Sequence, residues 1–289
     1  MRKLRRNLET PPAGRPEVAV RRLTDREEIL SYLEQQRDYC AVAIPYLDPR
    51  QGFGSRWFLA EKGKAFALCL LSERFSSDWV FTMGDIELLD QLLPSLHLPG
   101  RAYLTCQPDH LGVVQKYYHL EWQRLLKRLK VERESFSPAG SGEPCPLGPK
   151  DIAPANDLYR TWGQPISPGQ LRKGVYFGVW QNGELISAAG TLFISKTYEL
   201  GCVGNVLTRP GYRGRGLATA CTSAVTSKLL ETCWEVVLDV EPGNEPAMKM
   251  YGKLGYRGVC FLIEALGERR RFLPATWVSF WKKLGLSPT

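Results

Sequence analysis

The sequence predicts a mixed α/β protein built as two similar halves, and three observations predict it. An aromatic strand, a glycine turn and a second apolar run occur in that order once in each half. A strand, a glycine-rich loop and a helix follow one another in the second half alone. Between the halves lies Glu134 to Lys150, rich in Ser, Pro and Gly, which reads as a linker or long connection.

Length and composition agree with this organisation. A chain of 289 residues exceeds what one core needs, so two domains of roughly 100 to 150 residues are expected. Hydrophobic residues at 44% and charged residues at 24% exclude a largely disordered chain. Eight cysteines, with no Cys-x-x-Cys pair, suit reduced buried thiols in a cytoplasmic protein. The basic start at Met1 to Arg6 runs into Pro11, Pro12 and Pro16 rather than an apolar stretch, so no secretory signal is expected. No apolar run is long enough to span a bilayer, and no membrane partner is expected. The net charge of +8 is spread along the chain without an RNA-binding signature, which argues against nucleic acid; a coenzyme carrying several phosphates also gains from that field.

The internal likeness runs through the order of elements. Asp48-Pro49-Arg50-Gln51 precedes the strand at Trp57-Phe58, and Ser167-Pro168-Gly169-Gln170 precedes the one at Tyr176-Phe177. Turns follow at Lys62-Gly63 and Asn182-Gly183, then apolar runs from Ala65 to Leu71 and from Leu185 to Phe193, which makes a hairpin in each half. Later, Tyr103-Leu104 matches Val237-Leu238, Pro108 matches Pro242, Tyr117 matches Tyr251 and Leu120 matches Leu254. The pattern reads as a duplicated unit. The second copy is longer between hairpin and late strand, and the glycine-rich loop falls in that interval. The first copy has Gly84-Asp85-Ile86-Glu87-Leu88-Leu89 there, so it is expected to lack the chemistry and to serve a structural role.

Leu200 to Leu207 reads as a buried strand, Thr208-Arg209-Pro210-Gly211-Tyr212-Arg213-Gly214-Arg215-Gly216 as a loop, and Leu217 to Leu230 as a helix. Glycines let the backbone approach an anion, and the first amides of a helix have no internal partner, so phosphate oxygens can accept from both. A nucleotide P-loop needs Lys and then Ser or Thr after its last glycine, where Leu217-Ala218 stands. A dinucleotide fingerprint needs a third glycine, where Thr219 stands. Arg213-Gly214-Arg215-Gly216-Leu217-Ala218 instead resembles the Arg/Gln-x-x-Gly-x-Gly/Ala pyrophosphate loop of the GNAT superfamily, the Gcn5-related N-acetyltransferases. A second motif supports the likeness: Asn244, Ala247, Tyr251, Gly255 and Tyr256 resemble the family's Asn-x-x-Ala-x-x-x-Tyr-x-x-x-Gly-Phe pattern. A strand at Glu235 to Val240 precedes it, with Asn244 as helix cap, Pro246 in the first turn and Gly255 at the stop. Thr208-Arg209-Pro210 adds a likeness to the glycine N-acyltransferase-like branch, with Arg209 where His is commoner.

The resemblance implies tandem GNAT-like domains, each a mixed sheet flanked by helices. The first, residues 18–134, is a degenerate copy; 135–149 is a linker, 150–270 holds the intact acyl-CoA site, and 271–289 is a tail. It implies acetyl-CoA or another acyl-CoA as co-substrate, a small-molecule or peptide amine as acceptor, and no metal. Contacts to the coenzyme are implied for Val206, Leu207, Thr208, Arg213, Gly214, Arg215, Gly216, Leu217, Ala218, Thr219, Asn244, Ala247 and Tyr251. Tyr251 is the implied acid that returns a proton to the leaving thiolate. Glu199, with Glu241 and a water chain as alternatives, is the candidate base. A non-catalytic acetyl-CoA sensor is the competing reading. Trp277, Phe280, Trp281 and Leu284 recur at helical spacing in the tail, which is expected to pack on its own domain, a dimer or membrane-surface contact being the alternative.

Overall fold

The computed structural model describes residues 18–48, 54–74, 77–160, 163 and 165–270. The proline-rich start, Pro49 to Gln51 and the amphipathic tail lie outside them. The first half runs β1 (Ala19–Leu23), α1 (Arg26–Glu34), α2 (Arg37–Cys40), β2 (Arg56–Lys62), β3 (Ala65–Arg74), β4 (Ser77–Gly84), α3 (Ile86–Leu92), β5 (Arg101–Cys106), α4 (Leu111–Tyr117) and β6 (Tyr118–Glu132). The second repeats the order: β7 (Cys145–Pro146), α5 (Ile152–Arg160), α6 (Pro168–Lys173), β8 (Tyr176–Gln181), β9 (Glu184–Ser195), β10 (Leu200–Thr208), α7 (Leu217–Leu230), β11 (Glu235–Val240), α8 (Glu245–Lys253) and β12 (Arg257–Arg269).

Local chemistry sets these elements. Asn182 and Gly183 both have positive φ, 51° and 78°, as a two-residue hairpin turn between β8 and β9 requires. The carboxylate of Asp25 caps α1, and the hydroxyl of Ser167 caps α6 in a reciprocal box with Gln170. The expected helix at 217–230, the strand at 235–240 and the cap at Asn244 are all present.

All twelve strands form one mixed sheet in the order β1-β2-β3-β4-β5-β12-β6-β11-β10-β9-β8-β7. Exchanging each strand of one half for its counterpart in the other reverses this order and leaves it unchanged. β4 and β5 pair in parallel, as do β10 and β11, while the central ladders are antiparallel. The halves are separate in sequence but interlocked in the sheet: β6 of the first pairs with β11 of the second, and β12 of the second pairs with β5 of the first. Each half lends the other a strand. The connection expected over 135–149 includes the short edge strand β7, and part of it lies along α7, where the amide of Ala139 donates to Ser223 Oγ at 3.2 Å.

Helices cover both faces. α1 and α2 pack Ile29, Leu33, Tyr39 and Cys40 against Trp57, Leu59, Leu70 and Phe81, and Leu126 and Leu262 extend that cluster to the centre of the sheet. On the other face, α3 and α4 cover the first half with Leu88, Leu92, Val113 and Val114, and α7 and α8 cover the second with Cys221, Val225, Leu229 and Tyr251.

The centre also carries buried charge. Arg128 on β6 is fully buried and holds Asp239 of β11 through two bonds of 2.8 Å. Its remaining nitrogen donates to the carbonyls of Asp38 and Tyr39 on α2, at 3.2 and 2.6 Å. Nearby, Arg37 and Lys130 meet Glu235 at 2.6 and 3.3 Å. A planar guanidinium suits this place because one group satisfies a carboxylate and two carbonyls without water. Replacing Arg128 with Met leaves a carboxylate without its cation in the interior, so a loss of about 3 to 5 kcal/mol in urea unfolding is expected. Arg128→Met combined with Asp239→Leu should recover most of it; equal losses in the single and double variants would count against this account.

Candidate functional site

The site begins where two parallel strands part. β10 pairs with β11 over Leu200 to Cys202 alone. Beyond Cys202 no pairing joins them, although both strands continue, to Thr208 and Val240. On its other side β10 stays with β9 as far as Thr208, through register shifts between Cys202 and Val203 and between Gly204 and Leu207. Asn205, inside the second shift, has φ of 52°, a left-handed conformation that Asn tolerates better than most residues. The opening shows in exposure: Leu200 and Cys202 are fully buried, whereas Gly204 to Leu207 are half-buried.

The loop lies beyond the wide end of the split. Gly214 and Gly216 both have φ of 76°, which a side chain would strain. Gly216 caps α7, whose first internal bond runs from the Ala220 amide to the Gly216 carbonyl at 3.0 Å. Among the described residues, the six consecutive amides from Gly214 to Thr219 have no hydrogen-bond acceptor. Six donors at the positive end of a 14-residue helix make an anion cradle, so the chain's residues fit a pyrophosphate. Arg213 Nε donates to the Thr208 carbonyl at 3.2 Å and Arg215 to the Gly211 carbonyl at 3.2 Å. The Arg215 guanidinium also lies 5.2 Å from the Tyr212 ring centre, so both cations stay beside the loop. Ser141, from the connection between halves, approaches the same cap: its amide donates to the Gly216 carbonyl at 3.4 Å.

The other expected site residues divide by position. Val206, Leu207 and Thr208 line the end of β10 on the open stretch, while Leu217, Ala218 and Thr219 form the first turn of α7. Asn244 is exposed and caps α8 through the Ala247 amide at 3.3 Å. Tyr251 packs in the cluster that holds Val203 of β10 and Leu238 of β11, where the strands divide. Its ring meets Tyr256 edge-on at 5.9 Å, and the Tyr256 hydroxyl is in turn 2.8 Å from that of Thr226. Burial pushes the Tyr251 phenol well above its ordinary range, and the neighbouring Cys202 thiol adds to the shift. It therefore carries its proton at neutral pH.

Glu199 is not brought to the split. It is exposed in the turn before β10, where its carbonyl accepts from the amides of Trp234 and Glu235. Asn205 lies six residues further along, about 20 Å at the rise of a strand. Glu241 is exposed after β11, and its carbonyl accepts from Asn244.

In the first half, the corresponding helix start and strand end are hydrogen-bonded to the protein's own groups. Asp85 caps α3, its carboxylate accepting from the amides of Glu87 and Leu88 at 2.9 and 3.0 Å. Trp79 of β4 donates to Thr105 of β5 at 3.0 Å. The Gly84 amide donates to Gln107 Oε1 at 2.8 Å, and the Gly84 carbonyl lies 3.0 Å from His110 Nε2. Because a carbonyl accepts, Nε2 carries the proton and Nδ1 accepts from Thr82, 3.0 Å away. Burial holds this imidazole below its ordinary pKa, in agreement with a neutral ring.

Sequence reasoning missed Tyr159, Tyr176 and Asn205. The Tyr159 hydroxyl donates to the Asn205 carbonyl at 2.6 Å, and Asn205 Nδ2 donates to the Tyr176 hydroxyl at 2.9 Å. The available signal was the Gly204-Asn205 pair inside an apolar strand, which marks a bulge. Among the described residues, no group of three or more His, Cys, Asp or Glu is arranged to hold a metal ion, and no helix is long and apolar enough to cross a membrane.

A parallel pair that parts toward a glycine loop and the start of a helix is thus the geometry of the candidate site. Residues 146–256 match the model of the acetyltransferase (GNAT) family, and this segment is a GNAT domain. No curated protein matches the chain in sequence. Its fold is similar to that of a Drosophila protein, at 14% identity and a TM-score of 0.62, covering 86% of this chain and 98% of that one. It is also similar to a GCN5-related N-acetyltransferase from Sphaerobacter thermophilus, at 14% identity and a TM-score of 0.56, covering 89% and 98%. A tandem GNAT protein from the clavulanic acid biosynthesis pathway matches at 11% identity and a TM-score of 0.52, covering 89% and 100%. At these identities the likeness is one of fold, and it extends across both halves.

Tyr251 gives a pH prediction. A phenol with a raised pKa in the folded state adds stability that is fully present below the unfolded value of about 10 and is lost as pH rises above it. Subtracting the alkaline absorbance titration of Tyr251→Phe from that of the wild type should isolate a tyrosine that ionises well above pH 10. Ionisation at the ordinary value would show that the hydroxyl is solvated.

Proposed function

We propose that the chain is an acyl-CoA-dependent N-acyltransferase, with acetyl-CoA as the first donor to test and a primary amine of a small molecule or peptide as acceptor. The carrying observation is the run of six amides without acceptors at the start of α7, beside the wide end of the split between β10 and β11. These amides, with Arg213 and Arg215, bind the pyrophosphate, and the unpaired edge of β10 from Val206 to Thr208 faces the pantetheine arm. Asn244 and Ala247 complete the wall at α8.

Acyl-CoA, when bound, supplies an activated acyl group and a thiolate leaving group. The chain's residues align the amine with it and exclude water. We assign the return of a proton to sulfur to Tyr251, which is buried in the cluster where β10 and β11 divide. Glu199 is exposed on a turn away from the split, so water carrying the amine's proton outward fits better than Glu199 as base.

The first half we read as a degenerate copy that has lost the ligand. The strand order supports a duplication, and Asp85 puts a carboxylate where the second half offers free amides. What it retains is a structural part in the second half's site, since Arg128 holds Asp239 on the strand that forms one wall.

Purified protein given acetyl-CoA and a panel of amines should release free thiol. Tyr251→Phe should lower kcat by about 100-fold while leaving coenzyme affinity near the wild-type value. Binding without thiol release across amines and acyl chain lengths would point to a sensor, and absence of binding would remove the proposal. Asp85→Gly should not give the first half a coenzyme site, because Gln107 and His110 still occupy the end of β4 at Gly84; calorimetry should find one site per chain in this variant as in the wild type.

A further inference from the structure

The least regular residue of β10 is also among its most firmly held. Asn205 is non-glycine with φ of 52° in a strand that loses its partner on one side. A left-handed residue inside a strand is costly and persists where the surroundings over-determine it. Here α5, β8 and β9 do so. The Tyr159 hydroxyl from α5 donates to the Asn205 carbonyl at 2.6 Å. The Asn205 side chain donates to the Tyr176 hydroxyl on β8 at 2.9 Å, which donates onward to the Thr191 carbonyl on β9 at 3.2 Å.

The room for this arrangement is also built in. A Cβ on Gly190 would lie 2.1 Å from the Tyr176 ring, and one on Gly204 would lie 2.5 Å from Leu192. Tyr159 is fully buried and Tyr176 nearly so, so both hydroxyls spend their hydrogen-bonding capacity inside this chain of contacts. A phenylalanine at either position would fill the same volume. The hydroxyls matter for what they hold, which is the left-handed residue inside the second of the two register shifts along β10.

We propose that Tyr159 and Tyr176 are positioning residues that clamp Asn205 and so fix the open edge of β10 against which the acyl thioester lies. This rests on the acyl-CoA reading of the site and adds to it the device that sets the shape of the acyl end. The pyrophosphate cradle lies on the far side of Thr208 and has no bond to either tyrosine. The clamp therefore governs how the thioester is held and leaves the grip on the phosphates alone.

The test uses the full chain with acetyl-CoA labelled with carbon-13 at the thioester carbonyl, followed by infrared difference spectroscopy. In the wild type, the bound carbonyl band should be displaced from its free-solution position by contact with the β10 edge. In Tyr159→Phe and in Tyr176→Phe it should move back toward the free position, and kcat should fall by about tenfold with coenzyme affinity within about threefold of wild type. Tyr118→Phe is the control: that buried tyrosine bonds the Pro99 carbonyl at 2.9 Å in the first half, and removing its hydroxyl should move neither band nor turnover. A wild-type band at the free position, or clamp variants that keep the wild-type band and kcat, would overturn the proposal. Should either clamp variant fail to fold, Asn205→Gly, which keeps the left-handed backbone and removes the side-chain bond, reads the same band. Failure of the wild type to bind acetyl-CoA would overturn the acyl-CoA reading itself.

Discussion

Between Tyr118 and Glu132, and between Arg257 and Arg269, the two longest antiparallel partners of the sheet run side by side, each with a strand of the other half on its outer edge. Around this exchange the remaining strands, the helices on both faces and the buried cluster at Arg128 are arranged. A sheet made of two complete domains meeting edge to edge could slide or separate. One in which β6 and β12 have changed places cannot do so without breaking ladders in both halves. The charge at the centre follows from it: Asp239 and Glu235 sit on β11 beside a strand from the other half, and their cations come from that half.

The same two-part scaffold supports two opposite outcomes at equivalent places. In each half a parallel pair is joined for three residues, and a helix starts beyond its end. In the first, a carboxylate caps the helix and an indole reaches across the pair. In the second, two left-handed glycines replace the capping side chain and a left-handed Asn turns the strand aside. The two helix starts thus differ in whether their backbone donors are satisfied within the chain.

Much of the second half was legible because its signals are local. The glycines before Leu217, the Asn244 cap and the glycine stop at Gly255 each act within one turn of the residues they control, and α7, β11 and α8 stand where they indicate. The likeness between halves was legible for the same reason. The exchange of β6 and β12 was not, because no feature of either strand names the partner it meets. The clamp on Asn205 also escaped, since its tyrosines stand 46 and 29 residues away and each reads as an ordinary core aromatic. Glu199 was drawn to the site by its place in the sequence next to β10, but it stands at the end of that strand away from the loop.

The exchange also orders events in time. Cys106 finds its neighbour at Ile263, so the first half, finished as a sequence at β6, stays an unfinished sheet until the last strand has been made. Contacts so far apart along the chain are reached late, because a long loop must close before they give anything back. During synthesis the edges of β5 and β6 wait unpaired for β12, and an unpaired edge is open to other chains. The feature that binds the halves most firmly in the finished molecule is thus the one that leaves the growing chain most exposed.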